Sequence, residues 1–189
     1  MNRRAFVGGS LGAGALALGG PWVVAASAAT EDELAFANFG ASTEFLVKDF
    51  YTKALEAKVV SAAQSATLKR GRSAAGQHVK ALSELLLDAG DVAPAPDDFD
   101  FQWPAGTFRS EKEIVATGTG VLRALLGAYQ TAAASVSNPA YRVLYASLAA
   151  SVGQQLATLA ARGGQSAIEP FPTAMDLEAA SDALDAYLG

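Results

Sequence analysis

Four long segments of this chain repeat apolar residues at steps of three and four, and this repeat constrains the fold more than any other feature of the sequence. The segments span about residues 30–58, 61–89, 110–136 and 138–163, and residues at this spacing share one face of an α-helix. The repeat therefore predicts four amphipathic helices that bury their apolar faces against one another, and it predicts no β-sheet.

The ends of these segments carry helix-capping signals. Two pairs match the capping box, in which an N-cap side chain and the side chain three residues later bond each other's backbone N–H: Thr30 with Glu33 and Ser110 with Glu113. Thr173 with Asp176 predicts the start of a short C-terminal helix that continues to Leu188. Asn138 followed by Pro139 is typical of a helix start, and Gly90 is typical of a helix stop.

The connection between the second and third helices is long, at about nineteen residues (91–109), which is too long for a hairpin loop. A chain of this length can span the bundle, so the second and third helices can run parallel to each other. Alternation within the connection predicts that Phe99, Phe101 and Trp103 face the bundle. The predicted fold is all-α: an up-down-down-up four-helix bundle with a long crossover between helices 2 and 3 and a short fifth helix.

One carboxylate lies in the middle of the first apolar stripe. That stripe consists of Leu34, Ala37, Ala41, Glu44, Lys48, Tyr51 and Leu55. Glu44 is therefore predicted to point inward, where a carboxylate must be neutralised, paired or bound to a metal because desolvating its charge is costly. The second helix places His78, the only histidine of the chain, on its own inner face. Lys48, one turn after Glu44, is predicted to be a second counter-charge.

The residues alone leave three interpretations of Glu44 and His78. The first is a buried carboxylate–imidazolium pair that supports the fold, the second is a residual site for one metal ion, and the third is a contact to a small molecule. A hydrolytic triad is not expected, because the chain has no second, accessible histidine.

The first helix also carries a resemblance. Its segments Asn38-Phe39, Glu44-Phe45-Leu46 and Asp49-Phe50-Tyr51 resemble the first helix of secreted bacterial ferritin-like domains, a family related to the desiccation-associated proteins. The resemblance runs from about Glu31 to the C-terminus and implies a ferritin-like bundle, with Glu44 as a direct ligand of a di-iron or di-manganese site. Such a site takes a Glu from each of two helices and a Glu-x-x-His motif from each of the other two.

Most of the ligands that the resemblance implies are absent from this chain. Ala75-Gly76-Gln77-His78 in the second helix keeps the His and lacks the Glu, Leu122 stands at the third-helix Glu position, and Val152-Gly153-Gln154-Gln155 in the fourth helix has neither ligand. One histidine cannot complete two Glu-x-x-His motifs. No cofactor is therefore expected, except that Glu44 and His78 could hold a single Fe, Mn or Zn ion weakly.

Two functions follow from this resemblance and its missing ligands. The predicted function is that of an exported ferritin-like protein that has lost di-iron chemistry and acts as a non-catalytic binding or structural module. The alternative is a metal-binding ferritin-like oxidoreductase or metal-storage protein that uses a residual site at Glu44 and His78.

Residues 1–28 have the pattern of a twin-arginine signal peptide. Arg3 and Arg4 precede an apolar segment rich in Gly and Ala, and Ala26-Ser27-Ala28 supplies the small residues that a signal peptidase needs. We expect cleavage near this motif, a mature ferritin-like domain over residues 29–189, and a periplasmic or secreted location. An uncleaved membrane anchor is the alternative, and the many glycines of the apolar segment disfavour it.

The net charge and the absence of cysteine limit the classes of partner and site that this chain can have. Removal of Arg3 and Arg4 with the signal leaves twelve basic and nineteen acidic residues, a net charge of −7. That charge argues against nucleic acid and anionic membrane surfaces, and the absence of cysteine excludes disulfides and thiolate sites. The expected partner is an unidentified protein or a second copy of the chain, with no stable membrane association after signal cleavage.

Overall fold

The computed structural model describes residues 29–166 and 172–188, so the predicted signal peptide lies outside the described residues. The described residues form four long α-helices and one short one: α1 (Glu31–Glu56), α2 (Ala62–Asp88), α3 (Glu111–Ser135), α4 (Pro139–Arg162) and α5 (Leu177–Asp182). The described residues contain no strand, although Phe101 and Leu188 form one isolated antiparallel bridge. The all-α prediction is confirmed.

The two predicted capping boxes of the long helices form to different extents. At α1 the box is complete, since Glu33 N donates to Thr30 Oγ1 at 3.3 Å and Thr30 N donates to Glu33 Oε2 at 2.9 Å. At α3 only the first half forms: Ser110 Oγ accepts from Glu113 N at 3.3 Å. Both helices nevertheless start where these pairs predict.

The prediction for α5 is wrong at both ends. Its N-cap is Asp176, whose carboxylate accepts the N–H of Ala179 at 2.8 Å, and the helix ends at Asp182 instead of Leu188. A tertiary contact explains the late start, because the Met175 N–H donates to the carbonyl of Gly127 on α3 at 3.1 Å. The segment before Asp176 is held against α3 by this bond and is not helical.

Hydrogen bonds between helix ends fix the directions of the helices. Ser61 N donates to Glu111 Oε2 at 2.9 Å, so α2 and α3 start at the same end of the bundle and run parallel. At the other end, Glu33 Oε1 accepts from Ser137 N and Asn138 N, so the start of α1 lies beside the end of α3 and the start of α4. These contacts confirm the up-down-down-up order.

The crossover, residues 91–109, lies along α1 and runs in the same direction. Three contacts hold it there in order: Asn38 Nδ2 with Asp91 Oδ2 at 3.0 Å, the rings of Phe45 and Phe99 with centroids 5.7 Å apart, and Trp103 Nε1 with Asp49 Oδ2 at 2.7 Å. Phe99, Phe101 and Trp103 are half-buried, whereas Asp100 and Gln102 between them are exposed. The predicted alternation is confirmed.

The middle of α1 is buried on all sides. Every residue from Phe39 to Val47 is buried, because the crossover and the C-terminal segment cover the part of α1 that the other helices leave open. Lys48 is the first exposed residue after this run, so the prediction that it faces Glu44 as a counter-charge is wrong. At the surface the Lys48 ammonium stays hydrated, whereas burial in the interior would remove its hydration.

One helix among the described residues, α4, is long and apolar enough to cross a membrane. Its best window has a mean hydropathy of 1.2, and 33% of that window is buried inside the bundle. A core helix of a soluble protein meets the same criteria, so this single helix is weak evidence for a membrane span.

Candidate functional site

Four side chains in the middle of the bundle form a continuous hydrogen-bonded group, called here the polar centre: Glu44, His78, Tyr129 and Ser151. Glu44 on α1 is 0% exposed and His78 on α2 is 8% exposed. Glu44 Oε1 lies 2.7 Å from His78 Nδ1, which confirms the predicted contact between the two side chains. The group includes one residue from each of the four long helices.

Tyr129 on α3 holds the carboxylate from the other side. Its hydroxyl donates to Glu44 Oε1 at 3.1 Å. Gly40, one turn before Glu44, makes this approach possible, because a Cβ there would lie 2.9 Å from a carbon of the Tyr129 ring. Burial raises the pKa of Tyr129 well above its ordinary value, and the nearby Glu44 carboxylate raises that pKa further. The hydroxyl therefore stays protonated and remains a donor.

Ser151 on α4 completes the group, and the sequence analysis missed it. Its Oγ lies 2.9 Å from Nε2 of His78, on the opposite side of the imidazole from Glu44. Ser151 is half-buried at the edge of the α4 stripe, where a small polar residue resembles ordinary surface. The one available signal was its place one turn before Gln155 on the same edge of the helix.

A second tyrosine lies beside the polar centre. Tyr51 donates its hydroxyl to Gln155 Oε1 at 2.9 Å, and Gly71 makes room for it, since a Cβ there would lie 2.4 Å from the Tyr51 ring. Burial raises the pKa of Tyr51, and the Glu44 charge adds to this effect. Gln155 Nε2 is buried and has no hydrogen-bond partner among the described residues.

Burial dominates the electrostatics of Glu44. Desolvation raises the pKa of its carboxyl group, while the contacts to His78 and Tyr129 act in the opposite direction without cancelling it. Both contacts use Oε1, whereas Oε2 is buried without a partner among the described residues.

Three of the positions at which the family resemblance implies further metal ligands carry apolar side chains. Ala75, Leu122 and Val152, at the positions where the family resemblance implies ligands, are at most 1% exposed and carry no donor atoms. No group of three or more His, Asp, Glu or Cys residues that could hold a metal occurs in residues 29–166 and 172–188. Glu44 and His78 are therefore two donors where a two-metal centre takes about six.

Glu33 forms a second buried carboxylate site, at the end of the bundle. It is 2% exposed, and its two oxygens accept backbone N–H groups of Thr30, Ser137 and Asn138 at 2.7–2.9 Å. Burial alone would raise its pKa, but the backbone donors together lower that pKa below the ordinary value. Both oxygens are occupied, so this site is a structural connection between α1 and the α3–α4 turn.

Comparison with models of protein families gives a match to this chain. The family model of the ferritin-like domain matches residues 32–165, which extend from the first turn of α1 to just beyond the end of α4. No curated protein matches the chain. The match covers the four helices that supply the polar centre and ends before α5.

Proposed function

This chain belongs to the ferritin-like domain family, and we propose that it is an exported member that has lost two-metal chemistry and acts as a non-catalytic binding or structural module. The observation that carries the proposal is the donor set of the polar centre. Two dications in a low-dielectric interior need several carboxylates to offset their charge. Glu44 is the one carboxylate in the polar centre.

The apolar side chains around the polar centre support this loss. Leu122 and Val152 each bury an aliphatic side chain in the core cluster, at positions where the family resemblance implies a carboxylate or an imidazole. An aliphatic side chain fills the space that a metal ion and its bridging ligands would take. The core at this level is thus stabilised by burial of apolar surface.

The hydrogen bonds of the polar centre support a structural role. Glu44 links α1 to α2 through His78 and to α3 through Tyr129, and His78 continues the link to α4 through Ser151. Buried polar groups of this kind specify one packing arrangement, since any shift of a helix leaves a donor or acceptor unpaired. A module that presents a fixed outer surface benefits from this rigidity.

Exposed apolar side chains on α2 and α4 support a binding role. Leu87 on α2 is 62% exposed and Val143 on α4 is 67% exposed. We propose an unidentified protein, or a second copy of this chain, as the partner. A molecular mass measured by light scattering at twice that of the mature chain would identify self-association, and a monomer would leave the protein partner.

Export is supported by the twin-arginine pattern and is tested at the N-terminus. The expected result is a periplasmic or secreted protein whose mature chain begins near Ala29, as measured by intact-mass spectrometry. An intact Met1 in a membrane fraction would show that the segment is kept as an anchor.

A residual single-metal site is the second candidate function. The observation that favours it is Glu44 Oε2, a buried oxygen without a partner among the described residues. Together with His78 it offers two donors to one Fe, Mn or Zn ion, with water in the remaining positions. Such an ion would leave readily to a chelator.

The rate of Fe(II) oxidation tests the loss of two-metal chemistry. Mature protein mixed with excess Fe(II) in air should oxidise iron no faster than its Glu44→Ala variant. A rate that is well above the buffer rate in the native protein and falls to it in Glu44→Ala would restore the oxidoreductase function.

A further inference from the structure

Three side chains of the polar centre are joined in series across the α2–α4 seam. Glu44 Oε1 lies 2.7 Å from His78 Nδ1, and His78 Nε2 lies 2.9 Å from Ser151 Oγ. A carboxylate at one imidazole nitrogen and a hydroxyl at the other is the arrangement in which histidine acts as a base toward serine. The sequence analysis expected no hydrolytic triad for want of a second, accessible histidine, and these contacts reopen that question for His78 itself.

The hydrogen bonds around His78 select the tautomer in which its Nε2 can accept a proton. Tyr129 already donates its hydroxyl to Glu44 Oε1, which marks that oxygen as an acceptor. An acceptor at Oε1 requires a proton on Nδ1 of His78, and in the neutral ring this leaves Nε2 unprotonated. Nε2 then accepts the Ser151 hydroxyl proton, as a general base must.

We propose that Ser151 is an activated nucleophile that accepts an acyl group from a small uncharged ester. Ser151 is half-buried, whereas His78 behind it is only 8% exposed. The neighbours one turn away on the two helices are small or uncharged: Ala74 and Ala81 beside His78, and Gln154 beside Ser151. The half-buried position of Ser151 favours a small acyl group, and these neighbours provide no partner for a charged one.

Gln155 supplies a donor for the negative charge that develops on the ester oxygen. It lies one turn after Ser151 on the same edge of α4, and its Oε1 is held by Tyr51. Its Nε2 has no acceptor among the described residues, although it is buried. An unpaired amide donor directed at a developing oxyanion lowers the barrier to acyl transfer.

The reaction balances without an oxidant or a metal. Ser151 Oγ bonds to the ester carbonyl carbon as its proton moves to His78 Nε2, and the resulting oxyanion then collapses. The bond from carbon to the leaving alkoxide breaks, and His78 returns the proton to that oxygen. The products are acyl-Ser151 and a free alcohol. The inference goes beyond the proposed module, because it adds covalent capture of an acyl group, and it predicts nothing about metal content.

Acetylation by p-nitrophenyl acetate tests the proposal in the mature protein. The expected result is rapid release of one equivalent of p-nitrophenolate per chain, with the acetyl group located on Ser151 by peptide mass mapping. Ser147 is the internal control: it lies one turn earlier on α4, and its hydroxyl donates to the Val143 carbonyl at 2.8 Å. A positioned base contributes about 100-fold or more, so Ser151 should react about 100-fold faster than Ser147.

Variants show which side chains cause the fast phase of acetylation. Ser151→Ala should abolish the fast phase, His78→Gln should lower it about 100-fold, and Gln155→Leu should lower it about 10-fold, whereas Ser147→Ala should leave it unchanged. Equal acetylation of Ser147 and Ser151 in the native protein would overturn the proposal without any variant. A fast phase that survives His78→Gln in a protein with native circular dichroism would also overturn it.

Discussion

Two glutamates on the same helix have almost no exposed surface and yet behave in opposite ways. Glu33 is 2% exposed and Glu44 is 0% exposed, about three turns further along α1. Glu33 accepts three backbone N–H groups, while Glu44 contacts one histidine and one tyrosine and leaves an oxygen without a partner among the described residues. The pKa of Glu33 is lowered, and that of Glu44 is raised.

The difference has two causes: Glu33 lies at the end of the bundle, where desolvation of its carboxyl is weaker than at Glu44 in the centre, and backbone donors surround it. Fixed backbone donors favour the ionised form and outweigh desolvation at Glu33, whereas two side-chain contacts do not outweigh it at Glu44. A carboxylate with all its acceptor sites filled is a structural connection. A carboxylate whose acceptor sites are only partly filled keeps an oxygen available for a proton or a ligand. Glu44, whose Oε2 has no partner among the described residues, is the carboxylate of this kind.

Removal of the Glu44 side chain is expected to give the largest effect. Glu44→Ala leaves His78 and the Tyr129 hydroxyl unpaired in the interior, which should lower the free energy of unfolding by about 3–5 kcal/mol. Glu44→Gln keeps the shape and should cost about 1–3 kcal/mol. Urea unfolding measures both, with Lys48→Ala as the exposed neighbour that should change stability by less than about 0.5 kcal/mol. Equal effects of Glu44→Ala and Lys48→Ala would contradict the role of the polar centre.

Glu33→Gln should destabilise by about 1–3 kcal/mol, since it removes the charge from hydrogen bonds to three backbone donors and points an amide N–H at one of them. Glu31→Gln, an exposed first-turn residue of the same helix, is the control and should have little effect. Thermal unfolding at neutral pH compares them. A Glu33→Gln protein as stable as Glu31→Gln would show that the bundle end does not depend on this carboxylate.

Removing the hydroxyl of Tyr129 or of Tyr145 compares the stability that one hydrogen bond contributes at each of the two glutamates. Tyr129→Phe removes a bond to the Glu44 carboxylate, and Tyr145→Phe removes a 3.1 Å bond to the backbone carbonyl of Glu33. Bonds to charged groups contribute about 1.5–3 kcal/mol and neutral ones about 0.5–1.5 kcal/mol, so Tyr129→Phe should cost more. Equal losses in urea unfolding would mean that Glu44 is neutral in the folded protein.

The pH dependence of stability should show the two glutamates with opposite signs. Glu33 has a lowered folded pKa, so its contribution is present above the ordinary pKa and is lost as pH falls towards the folded value. Glu44 has a raised folded pKa, so the folded state binds more protons and stability falls as pH rises from the ordinary value through the folded one. Each slope stays below about 1.4 kcal/mol per pH unit, the limit for one proton.

Matched variants separate the two slopes of unfolding free energy against pH. Glu33→Gln should remove the acid-side loss and leave the other slope, and Glu44→Gln should do the reverse. Unfolding free energies measured at several pH values would contradict the comparison if either variant removed both slopes.

The helices were predictable because their signals are local. Caps such as Thr30 and the apolar spacing of each segment depend on neighbours within one or two turns, and the four long helices start where those signals predict. The start of α5 was not predictable, because Thr173 and Asp176 both fit an N-cap. The choice depends on the bond from Met175 to Gly127, which is distant in sequence.

The candidate site was predictable in part for the same reason. The inward positions of Glu44 and His78 follow from helical spacing, and their contact follows from the pairing of α1 with α2. Ser151 required knowledge of how closely α2 and α4 approach, and Lys48 required knowledge that the outer face of α1 is covered up to Val47. Neither fact is encoded in the spacing of one helix.

The metal content of the mature protein tests most directly the central claim that the polar centre has lost two-metal chemistry. Native, Glu44→Ala and His78→Ala proteins are loaded with excess Fe(II), Mn(II) or Zn(II), dialysed and measured by elemental analysis. We expect at most one easily chelated ion per chain in the native protein. Two tightly held ions in the native protein, absent from both variants, would contradict the claim and return the chain to the metal-dependent members of its family.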